Sequence, residues 1–443
     1  MVGYSFVSNI SPKNALIFIS QNDILTFKII KHIRGALYMY PIISENEHYR
    51  ITEQYFVMSD NIGLYTRIIA PRQKEKCPIV FIRNPYVLNH SGIPYDIEEC
   101  ETDNDYGIFL KHGYAVVFQH CRGCGISEGI CIPYSEEERR DGLESLELIR
   151  KLSIYDGEIY LFGGSYLASV HYLYLSTNPQ DVKAAALHIQ TDRMFFLNMR
   201  NGCRYVPTCE WWFKRAIRKY PYQKYGDEFR RPYKDMAKRV VGCDAPEYNK
   251  LLMSIEYDDF WKNDPRTNLM DELKIPVLFT EGWYDFYNYG MFSMWERLNP
   301  ETKKKSLFAV GPWGHSTKMT SAAEYAMPNG NLPEDFWVEW FNSFHYNRPF
   351  KYGECGKIKY YSIGADEWKI SGPQNGPGSS TPTSGTSWRL TPHMPRRSWP
   401  SAEAARSPAR TSPPGRKPSL TWASSMMPIW KLRYLTGSLS ATQ

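Results

Sequence analysis

Apolar runs separated by amphipathic stretches dominate the middle of the chain. Six runs stand out: "CPIVFIRNPY" (Cys77 to Tyr86), "YAVVFQHCRG" (Tyr114 to Gly123), "GEIYLFGGS" (Gly157 to Ser165), "VKAAALHIQ" (Val182 to Gln190), "IPVLFTEGWYD" (Ile275 to Asp285) and "KSLFAVGPWGH" (Lys305 to His315). Each is apolar at nearly every position rather than at every second one, the pattern of a strand covered on both faces. Helical stretches lie between them. The clearest, "SEEERRDGLESLELIRKLS", opens with Ser135 and Glu138 in capping-box spacing and repeats Leu143, Leu146 and Ile149 at intervals of three. Such alternation predicts an α/β fold with a mostly parallel sheet and helices on both faces. From about Asn201 to Asn263 the alternation stops. Aromatic and basic residues take over, as in "CEWWFKRAIRKYPYQKYGDEFRRPYKDMAKRV", which reads as a helical insertion between two strands. No internal repeat is visible.

Composition changes this picture at the ends. At 443 residues the chain is long enough for two or three domains around an enzyme-sized site. Its net charge of +6 invites a nucleic-acid reading, but the excess is local. Residues 373–443 hold nine Lys/Arg against one acid, Glu403, whereas the rest of the chain holds 44 basic and 46 acidic residues. The same tail carries 11 prolines with many serines and threonines and no periodicity, so it is expected to be disordered. No nucleic-acid partner is expected. No run approaches eighteen uninterrupted apolar residues, and the first residues, "MVGYSFVSNISPKNALIFISQND", show no secretory pattern, which predicts no membrane association and a cytoplasmic protein. Nine scattered cysteines fit reduced thiols better than a disulfide framework.

The candidate chemistry sits where strands end. In "GGSYLA", Gly163 and Gly164 leave room for a tight strand-to-helix elbow with Ser165 at its apex. The amide of Tyr166 then lies at the start of the next helix, where free donors favour an oxyanion. The usual G-x-S-x-G pattern has a glycine where this chain has Leu167, and Ala168 is the nearest small residue. A capping serine in a tight bend is the bland alternative. Downstream, Asp285 follows one apolar run and His315 another, the order Ser, Asp, His in which an imidazole can take the serine proton and a carboxylate can hold the imidazole. Taken singly, Asp285 also reads as a turn residue and His315 as a loop histidine. Cys121 and Cys124 form a CxxC with Cys131 nearby, but no second pair completes a zinc site, so no metal or other cofactor is expected.

Together these motifs resemble a known family, the cocaine esterase and X-Pro dipeptidyl-peptidase-like (CocE/NonD) hydrolases. The resemblance spans roughly Tyr55 to Lys369 and rests on "VMSDNIGLYTRIIAP", "RNPY", "CRGCGISEG", "RRDGLESLELIRK", "GGSYLA", "GWYDFY", "GPWGHS" and "YYSIGADEW". It implies an α/β-hydrolase fold with a helical cap and a C-terminal β jelly roll. It also implies a serine hydrolase acting on a small ester or a short X-Pro peptide, with Ser165 as nucleophile, Asp285 as acid, His315 as base, and Tyr86 joining the Tyr166 amide as oxyanion donor. On this basis the expected organisation is an N-terminal extension (1–50), the first part of the hydrolase domain (51–200), the cap (201–265), the second part (266–350), the start of the jelly roll (351–372) and the tail (373–443). A family member would continue in alternating strands beyond Gly372; the abrupt change of composition there suggests a shifted reading frame. A compromised remnant, or a binding protein on a hydrolase scaffold, is therefore the alternative reading, and a homo-oligomer is compatible with either.

Overall fold

The structure is a computed structural model that describes residues 42–45, 47–86, 106–200, 203–205, 238–239, 246–317, 327 and 329–371. Eleven strands form one sheet: β1 (Ile42–Glu45), β2 (Tyr49–Val57), β3 (Gly63–Pro71), β4 (Cys77–Asn84), β5 (Ala115–His120), β6 (Tyr155–Gly164), β7 (Val182–His188), β10 (Val277–Gly282), β11 (Leu307–Gly311), β12 (Ile358–Ser362) and β13 (Glu367–Ser371). β8 (Met199–Arg200) and β9 (Cys203–Arg204) make a separate small hairpin. The spatial order is β1-β2-β3-β5-β4-β6-β7-β10-β11-β12-β13. From β5 through β12 every neighbouring pair is parallel. β1, β2 and β3 join one side antiparallel, and β13 returns antiparallel on the other.

The near-continuous apolar strands are explained by two cores, one on each face. Phe81, Val117, Leu161, Ala185, Phe279 and Phe308 face a layer that holds Leu146, Ile149, Tyr172, Met291 and Met294. These come from the helices Glu136–Ile149, Tyr166–Leu175 and Asn288–Arg297. The alternate residues Val80, Ile82, Val116, Phe162, Ala186 and Ala309 face Phe109 and Leu110 of the helix Gly107–Lys111 and Phe336, Trp340 and Phe341 of the helix Phe336–His345. Strand residues on both faces are removed from water, so period-2 alternation vanishes.

Three expectations are adjusted. The sheet starts inside the segment read as an N-terminal extension, with β1 at Ile42 and β2 at Tyr49. The segment 351–372 does not open a second sheet: β12 pairs in parallel with β11 (Phe308 with Ile358), and so continues the hydrolase sheet. The hydrogen bonds that β11 leaves open on its far edge are the physical reason, since an unpaired strand edge is filled by the next extended segment. In the capping box, Ser135 accepts the Glu138 amide at 3.2 Å, but the Glu138 carboxylate reaches the amide of Tyr134, not that of Ser135. Most of the expected cap, including 206–237 and 240–245, and the whole tail 373–443 lie outside the described residues.

Candidate active site

Ser165 stands at the end of β6, with φ 55° and ψ −126°, a left-handed conformation that side chains rarely adopt. Its amide is tied to the carbonyl of His188 on β7 at 3.0 Å, which fixes the elbow to the neighbouring strand. The two preceding glycines are not equivalent. A methyl group on Gly163 would meet the backbone and Cβ of Leu167 at 2.8 Å, whereas one on Gly164 would meet nothing closer than 3.5 Å. The absent side chain of Gly163 is thus what lets Leu167 occupy the position where the usual pattern has glycine.

Two further loops, after β10 and β11, bring the partners. Trp283 donates its amide to the carbonyl of Gly311 at 2.9 Å and Tyr284 to that of Trp313 at 3.1 Å, so the loops run against each other. Gly282 permits this approach, because a Cβ there would lie 2.2 Å from the Trp313 carbonyl oxygen. Across the pair, His315 Nδ1 lies 2.8 Å from Asp285 Oδ2, and Nε2 lies 2.9 Å from Ser165 Oγ. The Asp285 side chain is fully buried and the His315 side chain is 33% exposed. Asp285 Oδ1 accepts the Tyr287 amide at 2.9 Å. A proton on Nδ1 directed to the carboxylate would leave the Nε2 lone pair facing the serine hydroxyl. The rings of Phe286 and Tyr287 pack on the imidazole, Phe286 stacked at 4.6 Å.

The Tyr86 hydroxyl lies 3.0 Å from Ser165 Oγ and accepts the Tyr166 amide at 3.1 Å. Tyr86 is held by its own amide, which donates to Asn84 Oδ1 at 2.8 Å. The structure therefore brings Ser165, Asp285, His315, Tyr86 and the Tyr166 amide into one cluster. Asn84 and Glu281 were not singled out in the sequence, and Glu138 was read there only as a capping-box residue. Glu138 is buried under the elbow, where both carboxylate oxygens accept the Tyr166 hydroxyl at 3.0 and 3.1 Å. Burial pushes its carboxyl up, against the opposing charge of Arg83. A visible signal existed for Glu281: it is the one charged residue in the strand Val277–Gly282.

Cys121, Cys124 and Cys131 pack with Tyr166 and Val170 in a small core behind the site, and every described cysteine is unbridged. Among the described residues no group of three or more His, Cys, Asp or Glu is placed to hold a metal ion. No described helix is long and apolar enough to cross a membrane.

A serine on a strained elbow after a central parallel strand, with its partners on later strand ends, defines the α/β-hydrolase fold. An α-amino acid ester hydrolase superposes with a TM-score of 0.59 at 19% identity, over 77% of this chain and 61% of that one. A CocE/NonD family hydrolase from Staphylococcus aureus superposes with a TM-score of 0.52 at 18% identity, over 73% of this chain and 55% of that one. The chain belongs to the X-Pro dipeptidyl-peptidase (S15) family, whose model matches residues 60–317. Cocaine esterase from Rhodococcus sp. (strain MB1 Bresler) is 22% identical over 344 residues, 70% of this chain and 58% of the esterase. The chain thus spans less than two thirds of the length of these relatives.

Proposed function

We propose that the protein is a serine hydrolase that cleaves a small ester or a short peptide through an acyl-enzyme. The observation that carries this reading is the unbroken relay from Asp285 to His315 to Ser165, at 2.8 and 2.9 Å. In the first step His315 Nε2 takes the Ser165 proton as Oγ attacks the carbonyl carbon, and Asp285 stabilises the imidazolium. The negative charge on the carbonyl oxygen is met by the Tyr86 hydroxyl and the Tyr166 N–H. In the resting site these two donors bond to each other. A carbonyl oxygen entering between them exchanges that bond for two of its own. His315 then passes its proton to the leaving alcohol or amine, and water repeats the sequence on the acyl-enzyme.

A fluorophosphonate probe tests the reading, because it reacts only with an activated serine. The wild-type chain is expected to be labelled and to hydrolyse p-nitrophenyl esters, and Ser165→Ala to do neither. An unreactive wild-type chain would favour the remnant or binding-protein alternative.

A further inference from the structure

Glu281 is fully buried at the end of β10, four residues before Asp285. The chain folds back between them, since the Asp285 amide donates to the Gly282 carbonyl at 3.1 Å. One carboxyl oxygen, Oε1, accepts the Gly282 amide at 2.7 Å. The other, Oε2, finds no donor in the surrounding protein. The turn that joins Gly282 to Asp285 brings the Asp285 carboxylate to the same buried end of β10, where its charge acts on Glu281. Asp285 has already committed Oδ2 to the imidazole and Oδ1 to the Tyr287 amide. Two buried carboxylates cannot face each other with both charges present, but a single proton on Glu281 turns the orphan oxygen into a donor.

We propose that Glu281 is a positioning residue, a neutral carboxylic acid whose O–H donates to Asp285 and holds that carboxylate in the orientation that receives His315. The proposal rests on the triad reading above and adds a fourth member behind it. Burial pushes the Glu281 carboxyl well above its ordinary value, and the Asp285 charge pushes it the same way. The other polar groups facing this pocket do not supply a counter-charge. Tyr172, from the nucleophile helix, brings a neutral hydroxyl whose own proton burial holds firmly and whose oxygen has no partner. Asp192, whose charge also acts on Tyr172, is already paired with Arg297, which donates to both of its oxygens at 2.7 Å. The β11 residues opposite, Val310 and Gly311, are apolar.

The donated hydrogen bond withdraws charge from Asp285, the carboxylate that would stabilise a charged imidazole on His315. Gln at 281 supplies the same geometry, with an amide N–H in place of the acid O–H and a carbonyl for the Gly282 amide. Leu fills the space and donates nothing. The experiment compares Glu281→Gln and Glu281→Leu in ester hydrolysis across pH. Glu281→Gln is expected to stay within about threefold of wild type, with the acid limb of kcat/KM unmoved. Glu281→Leu is expected to lower kcat by on the order of tenfold to a hundredfold and to raise the acid limb by about half a unit to one unit. A downward shift of that limb in Glu281→Gln would show that a charge had been removed, and would overturn the proposal.

A readout independent of turnover separates this inference from the triad. In Ser165→Ala, the infrared carbonyl stretch of a protonated carboxyl should persist at neutral pH and vanish when Glu281→Gln is added. Its absence in Ser165→Ala overturns the proposal even if the wild-type enzyme is active. A band that vanishes with Glu281→Gln supports the proposal even if the wild-type chain is unreactive, and a band that survives Glu281→Gln belongs to another buried acid such as Glu138 and overturns it.

Discussion

The sharpest expectations at the residue scale concern single atoms. Tyr86→Phe keeps the ring on Tyr166, packed at 5.9 Å, and removes only the donor beside Ser165 Oγ. It should lower kcat by about a hundredfold, near 3 kcal/mol, with KM little changed; an unchanged kcat would return Tyr86 to a packing role. The two elbow glycines give a paired test. Gly163→Ala forces its methyl against Leu167 and should cost on the order of a hundredfold in kcat/KM, whereas Gly164→Ala should leave the rate near wild type. Equal effects of the two would refute the steric account of the elbow. The juxtaposition of Ser165, Asp285 and His315 was legible because each directly follows an apolar run. Tyr86 was not legible on its own terms, since a tyrosine after proline looks like core, and it entered only through the family resemblance. Glu281 carried a signal, an acid within an apolar run, but nothing local says that it lies beside Asp285. The difference between Gly163 and Gly164 depends on where Leu167 sits in space, which spacing cannot show.

At the scale of elements, the loop 121–131 beneath the site is fastened to the helix Glu136–Ile149 by one fork. Arg122 donates to both oxygens of Asp141, at 2.9 and 2.5 Å, and also reaches Asp60 at 2.8 Å. Asp141 is fully buried. Arg122→Ala removes the hydrogen-bonding fork from that buried carboxylate, leaving it the charge of Arg83 nearby, and should destabilise the fold by about 3 kcal/mol, measured by denaturant unfolding. Arg122→Lys should recover part of the loss but not the two-pronged geometry. A loss under about 1 kcal/mol, the usual worth of an exposed pair, would mean that the loop is held by its packing instead. Strand existence and the central helices could be read from the chain because continuous apolar runs and a capping serine are local signals. The parallel direction of the central strands followed from the alternation of strands and helices, but the direction of the edge strands could not be read. Nothing local in β2 or β3 says that they run antiparallel, and the pairing of β12 with β11 is decided by which edge is open.

The described fold as a whole carries buried histidines that constrain its pH range. His171 and His188 are enclosed in the two cores, and burial pushes each down to about 3. Their ordinary value is 6.5, so below that pH the unfolded chain takes up protons that the folded chain refuses. Stability is therefore complete above about pH 6.5 and is lost progressively as pH falls toward 3, at about 1.4 kcal/mol per pH unit for each histidine. His188, whose two ring nitrogens have no partner and whose ring packs on Phe162 and Trp337, is the cleaner probe. His188→Leu should reduce the slope of unfolding free energy against pH between 6 and 4 by about one proton, and an unaltered slope would place the titration elsewhere. Glu281 acts in the opposite sense. Its raised value means that the stability it lends is full below the ordinary carboxyl range and fades as pH rises, so Glu281→Gln should stabilise the protein more at pH 8 than at pH 4.

The relay described above joins residues that are far apart along the chain: His315 and Ser165 by 150 positions, Tyr86 and Ser165 by 79. No short stretch can form it in isolation. Closing such long loops is the slow part of folding, and here each closure also requires its parallel neighbour to be in register. Ser165, His315 and Tyr86 should therefore meet only when the sheet has closed from β4 through β11, so the capacity to react with an acylating probe is expected to mark the end of refolding. In a refolding experiment with delayed addition of fluorophosphonate, labelling should rise with the slowest tryptophan phase. Labelling in an earlier phase would show that the elbow and its partners assemble before the sheet that carries them.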